Sequence, residues 1–471
     1  MKTNYDQYKE DYQDLTDFFA GERRIKEKEE RYTPRLEGQV GKESAYQRYV
    51  EFGILYNALH RTRQGLKGAI LRKPTDIQFP ESQKPILDNI MLNGASFGDL
   101  TRETCDAVLG YGRYGVLIDI NSDEEPFVAT YNALSILDWP TIRSKNVKQE
   151  ITLTETVEII DPEDPTKIKE VPQKRKLEID ESGKYLVTIY QKKEGKDVTS
   201  DEWVMVPSSS ENPNPRMPAY KGKRLDFIPF VFFGSSSNVP TPSRPPLLDL
   251  LNLLKGHWKL TVAYQYALNF TGLPTPCFAG FNLEEGAKTP LGPGASYNAD
   301  DPQAKSWFLQ TGGQGLAEME RGLNRLEDQM AVTGARLLET QRPGVEAAET
   351  VRLRSSGDSA TLADIAGNIE AGLTDVLQYI GFWLGIGEKE CAVSVNKDFV
   401  SAKATPQEIT AWVQAVQAGY LSVDSFLYNL IQGEMLPAGR TIEEEQEAIA
   451  EDKLKAQRSS PSLRGAGEFL T

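Results

Sequence analysis

LAEMERGLNRLEDQMAVTGARLL (residues 316–338), ETQRPGVEAAET (339–350) and VRLRSSGDSATLADIAGNIEAGLTDVLQYIGFWL (351–384) run on without interruption, and their periodicity sets the architecture. In the first segment Leu316, Met319, Leu323, Leu326, Met330, Thr333 and Leu337 recur at alternating steps of three and four, which places one apolar stripe along one side of a helix. In the third, Leu362, Ile365, Ile369, Leu373, Val376, Ile380 and Trp383 also recur at steps of three and four. Between them Pro343-Gly344 is a strong stop for either helix. At the rise of an α-helix the first rod is roughly 33 Å long and the second at least as long. Two rods with a break between them suggest a mechanical part more than a catalytic pocket.

Upstream of this stretch, Leu247–Phe270 carries Leu250, Leu254, Trp258, Val262 and Leu268 at helical spacing. A breaker run with Pro240, Pro242, Pro245 and Pro246 precedes it, and Gly272-Leu273-Pro274-Thr275-Pro276 ends it. Cys277–Gln310 is rich in Gly and Pro and partly β-patterned. From Ile118 to Phe233 the chain reads as a β-rich module, with strands at Val116–Ile120, Phe127–Tyr131, Ile151–Ile160, Arg175–Ile179, Tyr185–Gln191, Trp203–Val206 and Phe227–Phe233. Ser82–Leu109 reads mostly as helix, with a break near Gly94 and Gly98. Tyr46, Tyr49, Val50, Ile54, Leu55 and Leu59 read as one helical stripe. Residues 1–31 are charged and weakly patterned, Glu22–Arg31 mixes both signs as a solvated helix face does, and the ordered part is expected to open at Tyr32-Thr33-Pro34-Arg35. Beyond Gly387, Cys391–Val395 reads as a strand, and Pro406–Ala418, Val423–Gln432 and Ile442–Ala456 as helices. Ser459–Thr471 reads as a flexible tail.

Composition narrows the function. The 471 residues suffice for two or three domains, and 39% hydrophobic content is low for a compact enzyme. The formal net charge of -15 argues against nonspecific nucleic-acid binding, which rests on Lys and Arg. Three cysteines, Cys105, Cys277 and Cys391, lie far apart with no CxxC spacing, which fits a reduced compartment. The amino-terminal residues are polar and do not read as a signal peptide, and Phe227–Phe233, the longest apolar run, is too short to span a bilayer.

Motifs for chemistry fail on context. Gly110-Tyr111-Gly112-Arg113-Tyr114-Gly115 fits GxGxxG, but a helix precedes it and a strand follows, the reverse of a dinucleotide fold. A tight helix-to-strand turn is the better reading. Gly41-Lys42-Glu43-Ser44 lacks the P-loop pattern, with Leu36 where the first Gly belongs and Glu43 where Ser or Thr belongs. The two histidines, His60 and His257, are isolated on helices, and no metal-spaced set or GxSxG elbow occurs. The carboxylate runs Asp123-Glu124-Glu125 and Glu443-Glu444-Glu445 read as solvated. No catalytic residue, cofactor or metal is expected.

Glu346-Ala347-Ala348-Glu349-Thr350-Val351-Arg352-Leu353-Arg354-Ser355 with Ser359-Ala360-Thr361-Leu362-Ala363-Asp364-Ile365-Ala366 resembles the portal proteins of tailed bacteriophages, nearest a podophage-like group known only as a domain of unknown function. The resemblance runs from about Tyr32 to Asp452. It implies a mixed α+β, helix-rich portal fold: a charged segment (1–31), a wing (32–245), a stem helix (246–272), a clip (273–312), a second stem helix (313–338), a tunnel loop (339–350), a long wing helix (351–387), wing or crown helices (388–457) and a tail (458–471). It implies a homo-oligomeric ring, twelve-membered by family, that nucleates head assembly and carries double-stranded DNA into and out of a capsid vertex. Implied partners are the terminase large subunit, the major capsid protein, a head-tail adaptor and a scaffold, with no membrane. The implied location is the virion, after assembly in the bacterial cytoplasm. Gln341, Arg342, Pro343 and Gly344 become the DNA-facing tunnel loop. Leu316, Met319, Leu323, Leu326, Met330 and Leu337 become the stem packing face, and Phe281, Leu283, Tyr297 and Trp307 the docking face of the clip. Arg321, Arg325, Arg336, Arg352 and Arg354 either ring a channel or pair with Glu318, Glu320, Glu327, Asp328 or Glu346. A non-channel scaffold or tail adaptor and a carboxylate hydrolase remain the alternatives.

Overall fold

The computed structural model describes residues 4–121, 124–139, 149–160, 166–192, 202–209, 213–272, 275–281, 299, 301–309, 314–335, 348–397, 406–432, 435–436 and 440–459. They fall into two compact units, Met1–Lys397 and Asp398–Thr471.

The first unit opens with α1 (Asn4–Ala20) and α2 (Glu22–Glu27). Here the structure corrects the expectation that the ordered part opens only at Tyr32. Tyr12, Leu15 and Phe18 of α1 are fully buried, and Asp14 and Asp17 are buried with them. Charged letters hid an apolar stripe at steps of three. They also hid carboxylates that cross the core boundary because cations meet them, the condition under which buried charge is tolerated.

α3 (Glu43–Glu51) and α4 (Ala58–Ile70) divide what the sequence presents as one stripe. The indole of Trp258 lies where a side chain at Gly53 would stand, so the backbone passes beside the ring. Asn57 then caps α4, its side-chain oxygen accepting from the His60 amide at 3.3 Å. Ile54, assigned to the stripe, is exposed.

β1 (Asp76–Gln78) follows, then a 3-10 turn at Lys84–Asn89 and α5 (Phe97–Tyr111). Helix therefore occupies less of Ser82–Leu109 than its composition suggests, and Gly98 lies inside the first turn of α5 rather than at a break. Ser96 and Asp99 form a capping box that starts α5, and Gly112, left-handed at φ 67°, ends it. β2 (Arg113–Ile120) begins at once. The glycine run is thus a helix-to-strand turn, and Gly115 makes room for the Phe230 ring.

β3 (Pro126–Asn132), β4 (Ile136–Asp138), β5 (Glu150–Ile160), β6 (Ile168–Ile179), β7 (Tyr185–Lys192), β8 (Trp203–Met205), β9 (Ala219–Tyr220), β10 (Lys223–Arg224) and β11 (Phe230–Gly234) complete the β-rich module. β11, β2 and β3 form a three-stranded sheet in that order, and β4 to β8 an antiparallel meander. A buried ion cluster ties the two sheets together. Asp119 of β2 meets Arg216 and, at 3.7 Å, Arg175 of β6, whose guanidinium also holds Glu155 of β5 at 3.0 Å.

α6 (Leu248–Gly272), β12 (Thr275–Ala279), β13 (Lys305–Leu309), α7 (Gln314–Ala335) and α8 (Ala348–Leu384) follow. α8 begins within the segment expected to be loop (339–350) and stops short of 387, where Gly385 takes a positive φ. Its stripe Leu362, Ile365, Ile369, Leu373, Val376 and Ile380 is buried, and the helix packs on β11, β2 and β3. β14 (Ala392–Ser394) closes the unit by pairing with β1 in antiparallel register, Ile77 opposite Val393. Three residues are too few to show a period, and β1 escaped the sequence reading.

The second unit holds α9 (Pro406–Gln417), α10 (Val423–Gln432) and α11 (Ile442–Ser459). Among its described residues Leu427 is the one buried apolar side chain, and Tyr420 is 89% exposed.

Gly372 of α8 tests the packing. A Cβ there would collide with the Phe233 ring of β11. Helix propensity favours Ala over Gly by ~1 kcal/mol, whereas overpacking costs ~1–3 kcal/mol. Gly372→Ala is therefore expected to destabilise the fold in urea denaturation, and Phe233→Leu in the same chain to recover part of the loss.

Candidate functional site

α6 and α7 lie against each other and run antiparallel: Leu260 faces Gly322, His257 faces Glu327, and Leu253 lies near Val332. The backbones approach closely at Gly322, where a Cβ would lie 3.0 Å from Leu260 Cδ2. Gly334 of α7 makes a second close approach, to Thr62 of α4.

The first half of α6 exposes one face, along Asp249, Asn252, Gly256 and Lys259, and is covered on its other sides. Leu250, Leu251, Leu254, His257, Trp258, Thr261 and Val262 are all covered. Polar atoms in such a place need partners. His257 Nε2 lies 3.2 Å from Glu327 Oε1, its Nδ1 lies 3.2 Å from the Thr261 hydroxyl, and its ring packs against Tyr56 at 5.4 Å. Trp258 Nε1 donates to the Thr33 hydroxyl at 3.0 Å. Lys255 donates to Asp14 of α1. A single helix thus holds three other segments through three consecutive kinds of polar side chain. Of these, the sequence drew attention to Trp258 as a stripe residue and to His257, and assigned neither a partner. The available signal was a Lys, a His and a Trp on one otherwise apolar helix.

On α7, Leu323 and Met330 are buried, and Leu316, Met319, Leu326 and Thr333 are half-buried. The opposite face is open. Arg321 pairs with Glu318 one turn away at 2.7 Å, both side chains exposed. Arg325 lines a groove of about 480 Å³ with Leu253, Asp328, Gln329, Val332 and Thr333. Leu337 and Arg336 lie outside the described residues, as do Gln341, Arg342, Pro343 and Gly344. Arg352 and Arg354 lie on α8.

At the far end of the pair, β12 and β13 form a two-stranded sheet with Cys277 opposite Trp307. Trp307 is 50% exposed and Phe308 more so. Phe281 is half-buried, edge-on to Phe278 at 5.4 Å. Leu283 and Tyr297 lie outside the described residues. The sheet brings Trp307 and Phe281 to the same end of the helix pair.

Reactive chemistry is sparse here. Burial, reinforced by Asp106, pushes the Cys105 thiol up to about 12, and burial raises Cys391 as well. Among the described residues no cluster of three or more His, Cys, Asp or Glu could hold a metal ion, and no helix is long and apolar enough to cross a membrane.

Residues 246–384, the span from α6 to the end of α8, match the family described as Domain of unknown function (DUF4055). No curated protein matches the chain. Among solved structures, the chain is similar to one from the virion of a native gene transfer agent particle, with 10% identity and a TM-score of 0.39. It is also similar to chains from the neck of the native particle computed with C12 symmetry (12%, 0.39) and of the empty particle computed with C6 symmetry (11%, 0.38). Each likeness covers 83% of this chain and 93% of the other.

The helix pair yields a contrast. Met330, 1% exposed, and Val332, 53% exposed, are two residues apart on α7. Met330→Ala is expected to cost ~2–5 kcal/mol, and Val332→Ala to stay within ~0.5 kcal/mol, both read by chemical denaturation. Glu327→Ala is expected to cost ~1–3 kcal/mol because it strips buried His257 of a partner.

Proposed function

We propose that this chain is a subunit of a bacteriophage portal, a non-enzymatic ring at one capsid vertex through which double-stranded DNA is packaged and later ejected. The observation that carries the reading is the chain order between α6 and α8. A long helix descends to a small two-stranded sheet, a second long helix returns antiparallel beside it, and a third, longer helix crosses a β-sheet. This is the order that the sequence resemblance to portals implies for stem, clip, stem and wing.

The mechanism in this reading is geometric. The α6–α7 pairs of successive subunits would surround a channel, and a cyclic ring requires head-to-tail contacts, with different faces of each subunit meeting. The net charge of -15 would keep phosphates from adsorbing to the wall, since like charge opposes the counterion-releasing contacts that hold DNA. Trp307, Phe308 and Phe281 at the end of the pair would offer an aromatic surface to the terminase large subunit and then to a head-tail adaptor. Residues 341–344 would project toward the DNA. ATP hydrolysis belongs to a separate motor subunit, and scaffold and major capsid protein would meet the ring elsewhere.

Electron microscopy of the purified protein tests the proposal. Class averages down the symmetry axis are expected to show a ring of about a dozen subunits around a hole of roughly 20 Å or more, enough for B-form DNA. A closed dimer or tetramer without a hole would overturn it. Deleting Gln341–Gly344 is expected to leave rings intact and to lower DNA packaged per particle; loss of the rings would remove the tunnel-loop assignment.

A further inference from the structure

The second unit carries a face almost without charge. From the start of α9 to the end of α10, residues 406–432, the charged residues are Glu408 and Asp424, in a chain that is 26% charged. Asp424 accepts from Gln446 and so is engaged with α11. That third helix has the opposite character, with Glu443, Glu444, Glu445, Glu447, Glu451 and Asp452 in its sequence. On the uncharged hairpin Val413, Val423 and Tyr428 are exposed, and Trp412 and Phe426 are only half-buried. A helix that faces only water carries charge on its outer side. Loss of Asp, Glu and Lys together with a gain of aromatic residues is the composition of the core of a protein–protein contact.

Tyr420, at the tip of the hairpin, is held out from it. Gly419 takes a φ of 77°, its amide donates to the Val416 carbonyl at 3.1 Å, and the Tyr420 amide donates to the Ala415 carbonyl at 2.9 Å. These are the paired bonds of a Schellman stop, in which the residue after the glycine commonly packs its side chain back on the last turn. Tyr420 does not: it is 89% exposed, and its hydroxyl and ring have no hydrogen-bond or ring partner among the described residues. Two residues on, the Ser422 hydroxyl accepts from the Ser425 amide at 3.1 Å and starts α10. The backbone is thus fixed on both sides of a free aromatic ring. Such a side chain has little freedom left to lose on binding, which is the property of an anchor residue.

We propose that the α9–α10 hairpin is a docking surface for a second copy of this chain, with Tyr420 as its anchor. The proposal rests on the portal reading for closure of a ring, and not for the contact itself.

Charge selects the partner. Each copy carries a net -15, so two copies repel most where carboxylate-rich surfaces meet and least where both present an uncharged one. A strongly basic partner would be matched by the carboxylates of α11, not by the hairpin. Hairpin against hairpin buries uncharged polar and apolar side chains from both copies and leaves no charge stripped of water without a counterpart.

Analytical ultracentrifugation of the full chain over a concentration series tests this. The wild type is expected to self-associate, and Tyr420→Ser to raise the concentration of half-association by about ten-fold or more. Because Tyr420 is exposed, thermal unfolding of that variant is expected to match the wild type. Glu447→Ser, on the charged helix, is expected to leave association no weaker. A thiol cross-linker applied to Val423→Cys is expected to give a covalent two-chain species in greater yield than the wild type gives. Association untouched by Tyr420→Ser, a cross-link confined to single chains, or a wild type that stays monomeric at every concentration would each overturn the proposal. The portal reading fails separately. Association that Tyr420→Ser abolishes, with no ring in micrographs of the wild type, keeps the contact and loses the portal; rings that persist in Tyr420→Ser keep the portal and lose the contact.

Discussion

The first half of α6 is covered on every face but that of Asp249, Asn252, Gly256 and Lys259, and the helical part of the first unit depends on that burial. The polar groups on its covered sides must be satisfied, because an unpartnered donor or charge in a low-dielectric interior costs more than most single contacts return. α6 carries Lys255, His257 and Trp258 into that interior, and each engages a different segment: Asp14 of α1, Glu327 of α7 and Thr33 of the turn before α3. The apolar faces bring these segments near one another. The polar contacts choose which residues meet, so they set register where apolar packing alone would tolerate sliding.

This division of labour explains what the sequence revealed. α7 and α8 were legible because a one-sided apolar stripe at helical spacing survives without context, and Leu323, Met330, Ile369 and Leu373 lie on the buried sides of their helices. The glycine run at 110–115 was legible because the order of helix and strand decides between a nucleotide loop and a turn. α1 was not, because buried Asp14 and Asp17 look like solvent-facing residues until Arg31, Arg24 and Lys255 are seen beside them. The break between α3 and α4 was not, because the apolar residues on both sides of Gly53 share one helical spacing, and the approach of Gly53 to Trp258, two hundred positions away, leaves no local mark. For the candidate site, the packing side of α7 could be read from periodicity. The partners of His257 and the pairing of Cys277 with Trp307 depend on tertiary approach and left no local mark.

Close approach recurs wherever a long helix meets its neighbour. Gly322 admits Leu260, Gly334 admits Thr62, Gly372 admits Phe233 and Gly381 admits Cys391. Each position gives up helix propensity, about 1 kcal/mol for glycine against alanine, for a backbone nearer to its partner than any side chain would allow. The long helices are thereby fixed in translation as well as in facing. Rods that transmit force or hold a shape need that property more than they need intrinsic helicity.

The pairing of β1 with β14 has a consequence in time. Asp76–Gln78 meets its partner strand only once Ala392–Ser394 has been made, and Asn396 then bonds the Ala69 carbonyl at 3.0 Å, at the end of α4. At ~5–20 residues per second, the roughly 300 intervening residues take about 15–60 s to emerge from a ribosome. Through that interval Asp76–Gln78 has no β14 to pair with. Only a chain translated past the end of α8 can form the β1–β14 pair.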